Sequence, residues 1–323
     1  MESGGKGIGL DSSPRMTHQP QFSVIVPTCD RSEELASCLE RLSPGAQEGM
    51  TLVESDLLAA MKENSVGIFV EGTYEVIVSD DGNRYSAEGV LRQRFPWVRW
   101  KQGPRRGPAA NRNAGAAVAK GQWLAFTDDD CQVDHEWLHA FRTQARADSQ
   151  LKVLEGRTYV DRPKQHPLEE APINECGGNL WSCNFAIKAS VFEEVGRFDE
   201  VFPYAAMEDM DLHTRLKRMG AHIAFVRQAG VLHPWRKLTD LRRHLRQHLK
   251  SQLIYARKHP EYFQEKHWLR TLVRHCRRNV TELIPNMLRW GLLELRYAPI
   301  VWMGRAAEVY ALWMRTDPDS IKI

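Results

Sequence analysis

Short apolar runs that stop abruptly at acidic clusters constrain this chain more than any other feature. FSVIVP (22–27) leads into Thr28-Cys29-Asp30-Arg31, and YEVIVSDD (74–81) leads into Gly82-Asn83. WLAFTDDD (123–130) ends in three consecutive aspartates. The runs are β-branched and aromatic and lack polar alternation, which is the pattern of strands buried on both faces of a parallel sheet. WVRWKQ (97–102) is a weaker version of the same signal. Helical stretches lie between them. SEELASCLERL (32–42) places Leu35, Leu39 and Leu42 on one face, and PAANRNAGAAVAKG (108–121) is built of small residues that allow close packing. Strand and helix in alternation predict right-handed βαβ units and a doubly wound α/β domain. In such sheets ligands bind beyond the carboxyl ends of the strands, which is where the acidic clusters fall.

Past residue 150 the pattern loosens. VLEGRTYV (153–160) reads as a further strand, and GGNLWSCNFAIKASVFEEVGRFDE (177–200) as a turn, a strand and a short helix. MEDMDLHTRLKRMG (207–220) is an amphipathic helix with acids in its first turn, Lys217 and Arg218 in its last, and Gly220 as terminator. HIAFV (222–226) and AGVLHPWR (229–236) follow. Residues 43–73 are too long for a simple connection and read as an insertion holding a short helix, ESDLLAAMKE. Residues 1–20 read as a flexible leader without the apolar core of a signal peptide.

Charge is segregated. Residues 236–289 hold 14 Lys and Arg against 4 Asp and Glu, an excess of +10 that leaves the rest of the chain at −7. The helices expected over 236–323 are thus basic first, then rich in Trp, Leu and Met. No run of 18 apolar residues occurs, so a conventional membrane span is not expected. The six cysteines are scattered without a C-x-x-C pair, which fits a reducing compartment rather than a disulfide framework or a zinc site. A cytoplasmic location follows, with peripheral attachment to the inner face of a membrane as its variant.

Carboxylates at a strand's carboxyl end bind Mg²⁺ or Mn²⁺ through oxygen, and such ions usually bridge to phosphate. An isolated Asp-Asp-Asp is more often a solvated turn. Here the neighbouring acidic strand ends shift the balance towards a nucleotide site.

Several motifs in order give a specific resemblance. SVIVPTCDR, VIVSDDGN, GPAANRNAGAAVAKGQWLAFTDDDC, CNFAIKASVFEEVGRFDE, AAMEDMDLHTRLKRMG and VLHPWR together make the stretch from Phe22 to Arg236 resemble a family 2 glycosyltransferase. The resemblance implies a GT-A (Rossmann-like) fold over 21–235 with a mainly parallel central sheet and a C-terminal helical extension over 236–323. Residues 21–131 would form the donor half and 150–235 the acceptor half. It further implies that Pro27, Thr28 and Asp30 line a nucleotide pocket with Asp80 and Asp81, one of which contacts the base. Asp128 and Asp130 fall on the two D positions of a D-x-D motif, as ribose or metal contacts. Asp129 stands where the family usually has a small residue. Arg112 and Asn113 are further donor-site candidates, with an exposed arginine and a helix-cap asparagine as the plain alternative. His233 would complete the shell of a Mn²⁺ or Mg²⁺ ion. Asp209 would be the general base, supported by Glu208, although acids in a first helical turn are also favoured by the helix dipole alone. Asp211 reads as a surface partner of Arg215. Gly177, Gly178 and Trp181 would shape the acceptor side.

The implied reaction is inverting transfer from a nucleoside diphosphate sugar, most commonly a uridine diphosphate sugar, to a carbohydrate or lipid-linked acceptor hydroxyl. Two rival readings stand beside it. A nucleotidyltransferase would be expected to carry a Gly-rich phosphate loop near its start, and PTCDRSEE has no glycine. A non-catalytic module would use the basic 236–289 region, for which an anionic membrane surface fits the interleaved tryptophans and no nucleic acid is expected.

Overall fold

A computed structural model describes residues 17–53, 67–259, 261, 267–314 and 316–321. Its spine is β1 (Thr17–Thr28), paired in parallel with β3 (Gly67–Asp80) on one side and β5 (Trp123–Phe126) on the other. Two short strands, β2 (Thr51–Leu52) and β4 (Arg99–Gln102), add in parallel to the outer side of β3. Beyond β5 lies β9 (Phe185–Lys188), antiparallel to both β5 and β7 (Val153–Tyr159). Then come β10 (Ile223–Leu232), parallel to β7, and β6 (Gln132–Val133), antiparallel to β10. All the strands named so far except β9 and β6 thus run one way. Apart from short β2, their carboxyl ends share one edge: Thr28, Asp80, Gln102, Phe126, Tyr159 and Leu232.

The mainly parallel sheet is as expected, but β9 is reversed in its middle. Its FAIK core is as apolar as its neighbours, and apolar content does not encode direction. The long connection over 160–184 does, because it returns the chain to the edge where β7 ended. A second, two-stranded sheet pairs β8 (Glu169–Glu170) with β11 (Arg236–Lys237).

Both faces of the sheet are covered because alternate side chains point to opposite sides. Val24 and Val26 of β1 join Leu35 and Leu39 of α1 (Ser32–Glu40), with Trp137 and Phe141 of α4 (Trp137–Ala147) in the same cluster. Ile25 faces the other way, towards Phe126, Phe185, Phe192 and Phe198. Phe126 stacks on Phe185 at 4.9 Å and meets Phe198 edge-on at 5.5 Å. Burial of each such side chain contributes about 1.5–3 kcal/mol. The acidic turn after β5 therefore sits directly on a rigid aromatic base.

Between β3 and β4 runs α2 (Glu88–Arg94), and α3 (Pro108–Ala116) precedes β5. A Cβ on Gly115 of α3 would lie 2.7 Å from Ile25 Cγ2, so only glycine lets this helix come so close to β1. After β9 come α5 (Ala189–Glu194) and α6 (Glu208–Arg218), whose Leu212 and Leu216 complete the Ile25 face.

Three helices follow β11: α7 (Leu241–Lys258), α8 (His267–Trp290) and α9 (Leu292–Trp313). A small core of Leu253, Ala256, Ala311 and Leu312 joins α7 to α9. No helix among the described residues is long and apolar enough to cross a membrane.

Two expectations change. Residues 17–20 are not part of a loose leader: Thr17–Pro20 pair with Gly67–Val70 as an extension of the central ladder. The expected insertion over 43–73 contributes β2 and the first half of β3, while its ESDLLAAMKE helix and residues 1–16 lie outside the described residues. Of the stretches 222–226 and 229–236, Ile223–Leu232 form the single strand β10 with an irregularity between Val226 and Gly230, and Arg236 begins β11.

Candidate active site

The turns at the carboxyl edge carry the polar chemistry. Asp80, at the end of β3, accepts from Gly82 N (2.8 Å) through Oδ1 and from Ala87 N (2.8 Å), Ser86 Oγ (2.9 Å) and Trp100 Nε1 (3.2 Å) through Oδ2. Both its oxygens are spent on shaping the 82–87 loop. Asp81 is different. Its Oδ1 accepts from Arg105 N (2.8 Å), and no described donor reaches Oδ2. Burial lifts its pKa above the ordinary carboxylate value despite the Arg105 amide. Asp30 adopts φ 55 and takes the amides of Asn83, Arg84 and Tyr85 on one oxygen at 3.0–3.1 Å. The Tyr85 and Arg84 amides hold its carboxyl below the usual range. Asp30 therefore fixes the loop that borders Asp81 rather than pointing freely into a pocket.

The aspartate triplet answers its own repulsion with cations. Asp129 is buried, accepting from Thr28 Oγ1 (2.8 Å) and Arg31 Nη1 (3.2 Å). Burial still pushes it up to about 6. Asp130 pairs with Arg236 and lies 3.6 Å from Arg31 Nη1. Buried His233, just past β10, places Nε2 3.8 Å from Asp130 Oδ1 while its Nδ1 meets the Pro234 carbonyl at 2.9 Å. A carbonyl can only accept, so Nδ1 carries a proton, and in the neutral ring Nε2 is the nitrogen with the lone pair.

Asp128 connects the triplet to α6. Arg112, buried on α3, donates Nη2 to Asp128 Oδ1 (2.7 Å) and Nη1 to Glu208 Oε1 (3.2 Å). Burial alone would raise Asp128, but Arg112 and then Arg236 outweigh it and hold the carboxyl low. Glu208 follows Met207, whose φ of 72 bends the chain sharply into α6. Its Oε2 is buried without a hydrogen-bond partner. Burial, then the Asp209 charge, push Glu208 up to about 8. Asp209 is half-buried beside it, its Oδ1 held by Met210 N at 2.7 Å, and burial raises it too. The loop before β9 reaches this corner through the Ser182 amide, which stabilises the Asp209 charge. Buried Glu155 on β7 organises that loop by accepting from Gly178 N (3.0 Å) and Asn179 N (2.7 Å).

Comparisons with known proteins bear on the family and the fold. Residues 56–168 fit the family model described as Glycosyl transferase family 2. Validoxylamine A glucosyltransferase of Streptomyces hygroscopicus subsp. jinggangensis is 24% identical over 300 residues, covering 78% of this chain and 64% of that protein. Chondroitin synthase of Escherichia coli is 24% identical over 312 residues, covering 81% of this chain and 42% of that one. The crystal structure of S. aureus TarS 1-349 in complex with UDP-GlcNAc superposes with a TM-score of 0.50 at 16% identity, covering 72% of this chain and 66% of that chain. Over residues 56–168 the chain is thus similar in sequence to family 2 glycosyltransferases. Its fold is GT-A, and it spans less than two thirds of either curated relative.

Within this GT-A fold, the edge gathers Thr28, Asp81, Asp128, Asp130, Glu208, Asp209 and His233, with Pro27 buried in β1 behind Thr28. Two sequence readings are corrected. Arg112 is a buried bridge between two acids rather than an exposed helix arginine, and Asn113 is committed to the chain before α6. Asn113 donates to Phe198 O (2.9 Å) and Glu200 Oε1 (3.0 Å) and accepts from Phe198 N (3.1 Å). Asp211 pairs with Arg215 (2.8 Å) as expected but is fully buried, not superficial. It also meets Lys258 (2.7 Å) and His259 (2.9 Å).

The donor set fits a hard divalent cation. Asp130, Cys131 and His233 present ligand atoms within 4.8 Å of one another. Burial raises the Cys131 thiol far above its usual range, which keeps it protonated and leaves the carboxylate oxygen and the imidazole lone pair as ligands. Arg31 and Arg236 escaped the residue-by-residue reading, although Arg236 ends the VLHPWR motif and Arg31 closes PTCDR. Three adjacent acids held in one folded turn need neighbouring cations, and that was the available signal.

Proposed function

We propose that this domain transfers a sugar from a nucleoside diphosphate sugar to an acceptor hydroxyl with inversion, using a Mn²⁺ or Mg²⁺ ion held by Asp130 and His233 with Asp128 beside them. The observation that carries the reading is the tether between Asp128 and Glu208 through Arg112, which sets the Asp209 helix against the D-x-D turn. When bound, the cation would neutralise charge on the departing diphosphate. Asp81, with its free oxygen, binds a base N–H, and Asp80 shapes the loop around it. Thr28 orients Asp129, and Arg31 offsets the triplet's charge.

Asp209 takes the proton of the acceptor hydroxyl as that oxygen bonds to the anomeric carbon, and the bond from that carbon to the diphosphate oxygen breaks. One displacement needs one base and no covalent sugar–enzyme link, the same stereochemical logic as inverting hydrolysis. The raised pKa values suit these roles. Asp209 is a stronger base than an exposed aspartate, and neutral Glu208 adds no second charge to the pocket.

Uridine is the favoured base, since the TarS structure holds UDP-GlcNAc on the same fold. The testing experiment is thermal stabilisation across a panel of nucleotide sugars, with and without Mn²⁺, followed by determination of the product's anomeric configuration. A metal-dependent shift with one donor and an inverted product are the expected results. Indifference to every donor with either cation overturns the proposal, and a retained configuration removes Asp209 as sole base.

A further inference from the structure

Helix α8 is packed inside out. Leu269, Val273, Cys276, Met287 and Leu288 fall on one side of the helix, the apolar stripe that normally turns inward. Here the polar side turns inward instead. Thr271 is 2% exposed, His275 Nε2 meets Glu308 Oε2 of α9 at 2.9 Å, and Arg305 of α9 reaches Asn279. The stripe faces outward: Val273 is 59% and Leu288 85% exposed. On α9 the same happens. Trp302, Met303, Tyr310 and Trp313 follow one another at helical spacing and are all exposed, Met303 at 72%. Two helices with apolar rows in solvent require an occupant.

Charge identifies it. The groove beside Leu269 and Val273 is also lined by Arg270, Arg274, Arg277 and Arg278, with no acidic residue among its lining. We propose that α8 and α9 lie on the surface of an anionic bilayer. Leucine, valine and methionine enter the acyl boundary, the arginines meet headgroup phosphates, and the tryptophans and tyrosine sit at the interface level. A second copy of the chain fits less well, because a two-fold contact would bring the arginine rows together. A polynucleotide would satisfy the arginines and leave Leu288 and Met303 in water. The site proposed for sugar transfer plays no part in this membrane contact, and the two stand or fall separately.

The test is co-sedimentation of the full chain with vesicles. Vesicles of equimolar phosphatidylglycerol and phosphatidylcholine should carry the protein down at low salt and lose it at high salt, and phosphatidylcholine alone should not bind it. Replacing Arg270, Arg274 and Arg277 by Gln together should weaken binding on the order of a hundredfold. Val273→Ser with Leu288→Ser and Met303→Ser should weaken it roughly tenfold or more with the charge unchanged. Both sets lie on the surface, and unchanged circular dichroism and nucleotide-sugar affinity show that the fold survives. Absence of binding to anionic vesicles at low salt overturns the proposal, as does binding that neither set affects. A dimer in sedimentation velocity that the serine set dissolves assigns the face to a second copy, and retention on duplex DNA in place of vesicles assigns it to nucleic acid. Either result overturns the bilayer.

Discussion

Asp128 and Glu208, 80 positions apart in sequence, share a single buried guanidinium: Arg112 lies 2.7 Å from one and 3.2 Å from the other. The two acids lie on different segments, so this cation fixes the distance between the aspartate turn and the helix that carries Asp209. Stacking of the guanidinium over Phe198, 5.7 Å from the ring centre, further restricts it.

Removal of that cation should be costly. Arg112→Ala leaves Asp128 and Glu208 without their shared cation, and breaking a buried pair from one side costs about 3–5 kcal/mol. Chemical denaturation should show a loss of that size. Arg112→Lys should recover part of it, because an ammonium restores charge but cannot bridge both acids in one plane. Equal stability of wild type and Arg112→Ala would show that the bridge is ornamental.

A pH dependence follows from Glu208. Its carboxyl rises from 4.5 to about 8 on folding through burial and the neighbouring Asp209 charge. A group raised in this way favours the folded state below its unfolded value, and that contribution is lost as pH climbs through the folded value. Glutamine mimics the protonated form, so Glu208→Gln and wild type should melt together near pH 4.5. The variant should become the more stable of the two as pH approaches about 8 and stay so above it. Melting curves that diverge at low pH and converge at high pH would reverse the sign and refute the assignment.

Asp209→Asn should leave the fold and donor affinity almost intact while lowering turnover by about 10²–10⁴-fold, the usual contribution of a positioned base. Nucleotide-sugar titration and single-turnover kinetics separate the two. Turnover at the wild-type rate would move the base elsewhere.

Much of this site is visible in the sequence, for a local reason. An apolar run and the charges at its end are adjacent residues, so FSVIVPTCDR, YEVIVSDD and WLAFTDDD each announce a strand and its tip together. Arg112 is not legible in that way: its bond to Glu208 spans 96 residues, and nothing in PAANRNAG marks the arginine as buried. The same holds for Asp211 and His259, 48 residues apart. Asp211 with Arg215 has the spacing of a surface pair, and only the docking of α7 makes it a core one. Reversal of β9 was equally hidden, since a four-residue apolar strand carries no mark of its direction.

Metal binding can be separated from nucleotide binding. Asp130→Asn and His233→Ala should each weaken Mn²⁺-dependent donor binding by at least about tenfold to a hundredfold, the range in which even supporting groups of metal sites act. Binding of the donor without metal should change far less. Calorimetric titration with and without Mn²⁺ reads both. If His233→Ala leaves the metal-dependent part untouched, its Nε2 serves only to fill space beside Asp130.

Asp211 offers the last prediction, on architecture rather than chemistry. Two cations and an imidazole reach this fully buried carboxylate: Arg215 from its own helix (2.8 Å), and Lys258 (2.7 Å) and His259 (2.9 Å) from the end of α7. Lys258 also pairs with Asp199, and Thr214 meets the Tyr255 hydroxyl at 2.7 Å, so the contact continues along both helices. Asp211→Asn keeps the volume but removes the charge that gathers these groups, and it should cost about 3–5 kcal/mol. Because the contact holds α7 to α6 and the sheet behind it, the loss should appear first as a local opening. Limited proteolysis of Asp211→Asn should then cleave between α6 and α8 sooner than in wild type, at a temperature where far-ultraviolet dichroism is still unchanged. Cleavage patterns that do not differ would mean that α7 is held by its apolar contacts alone.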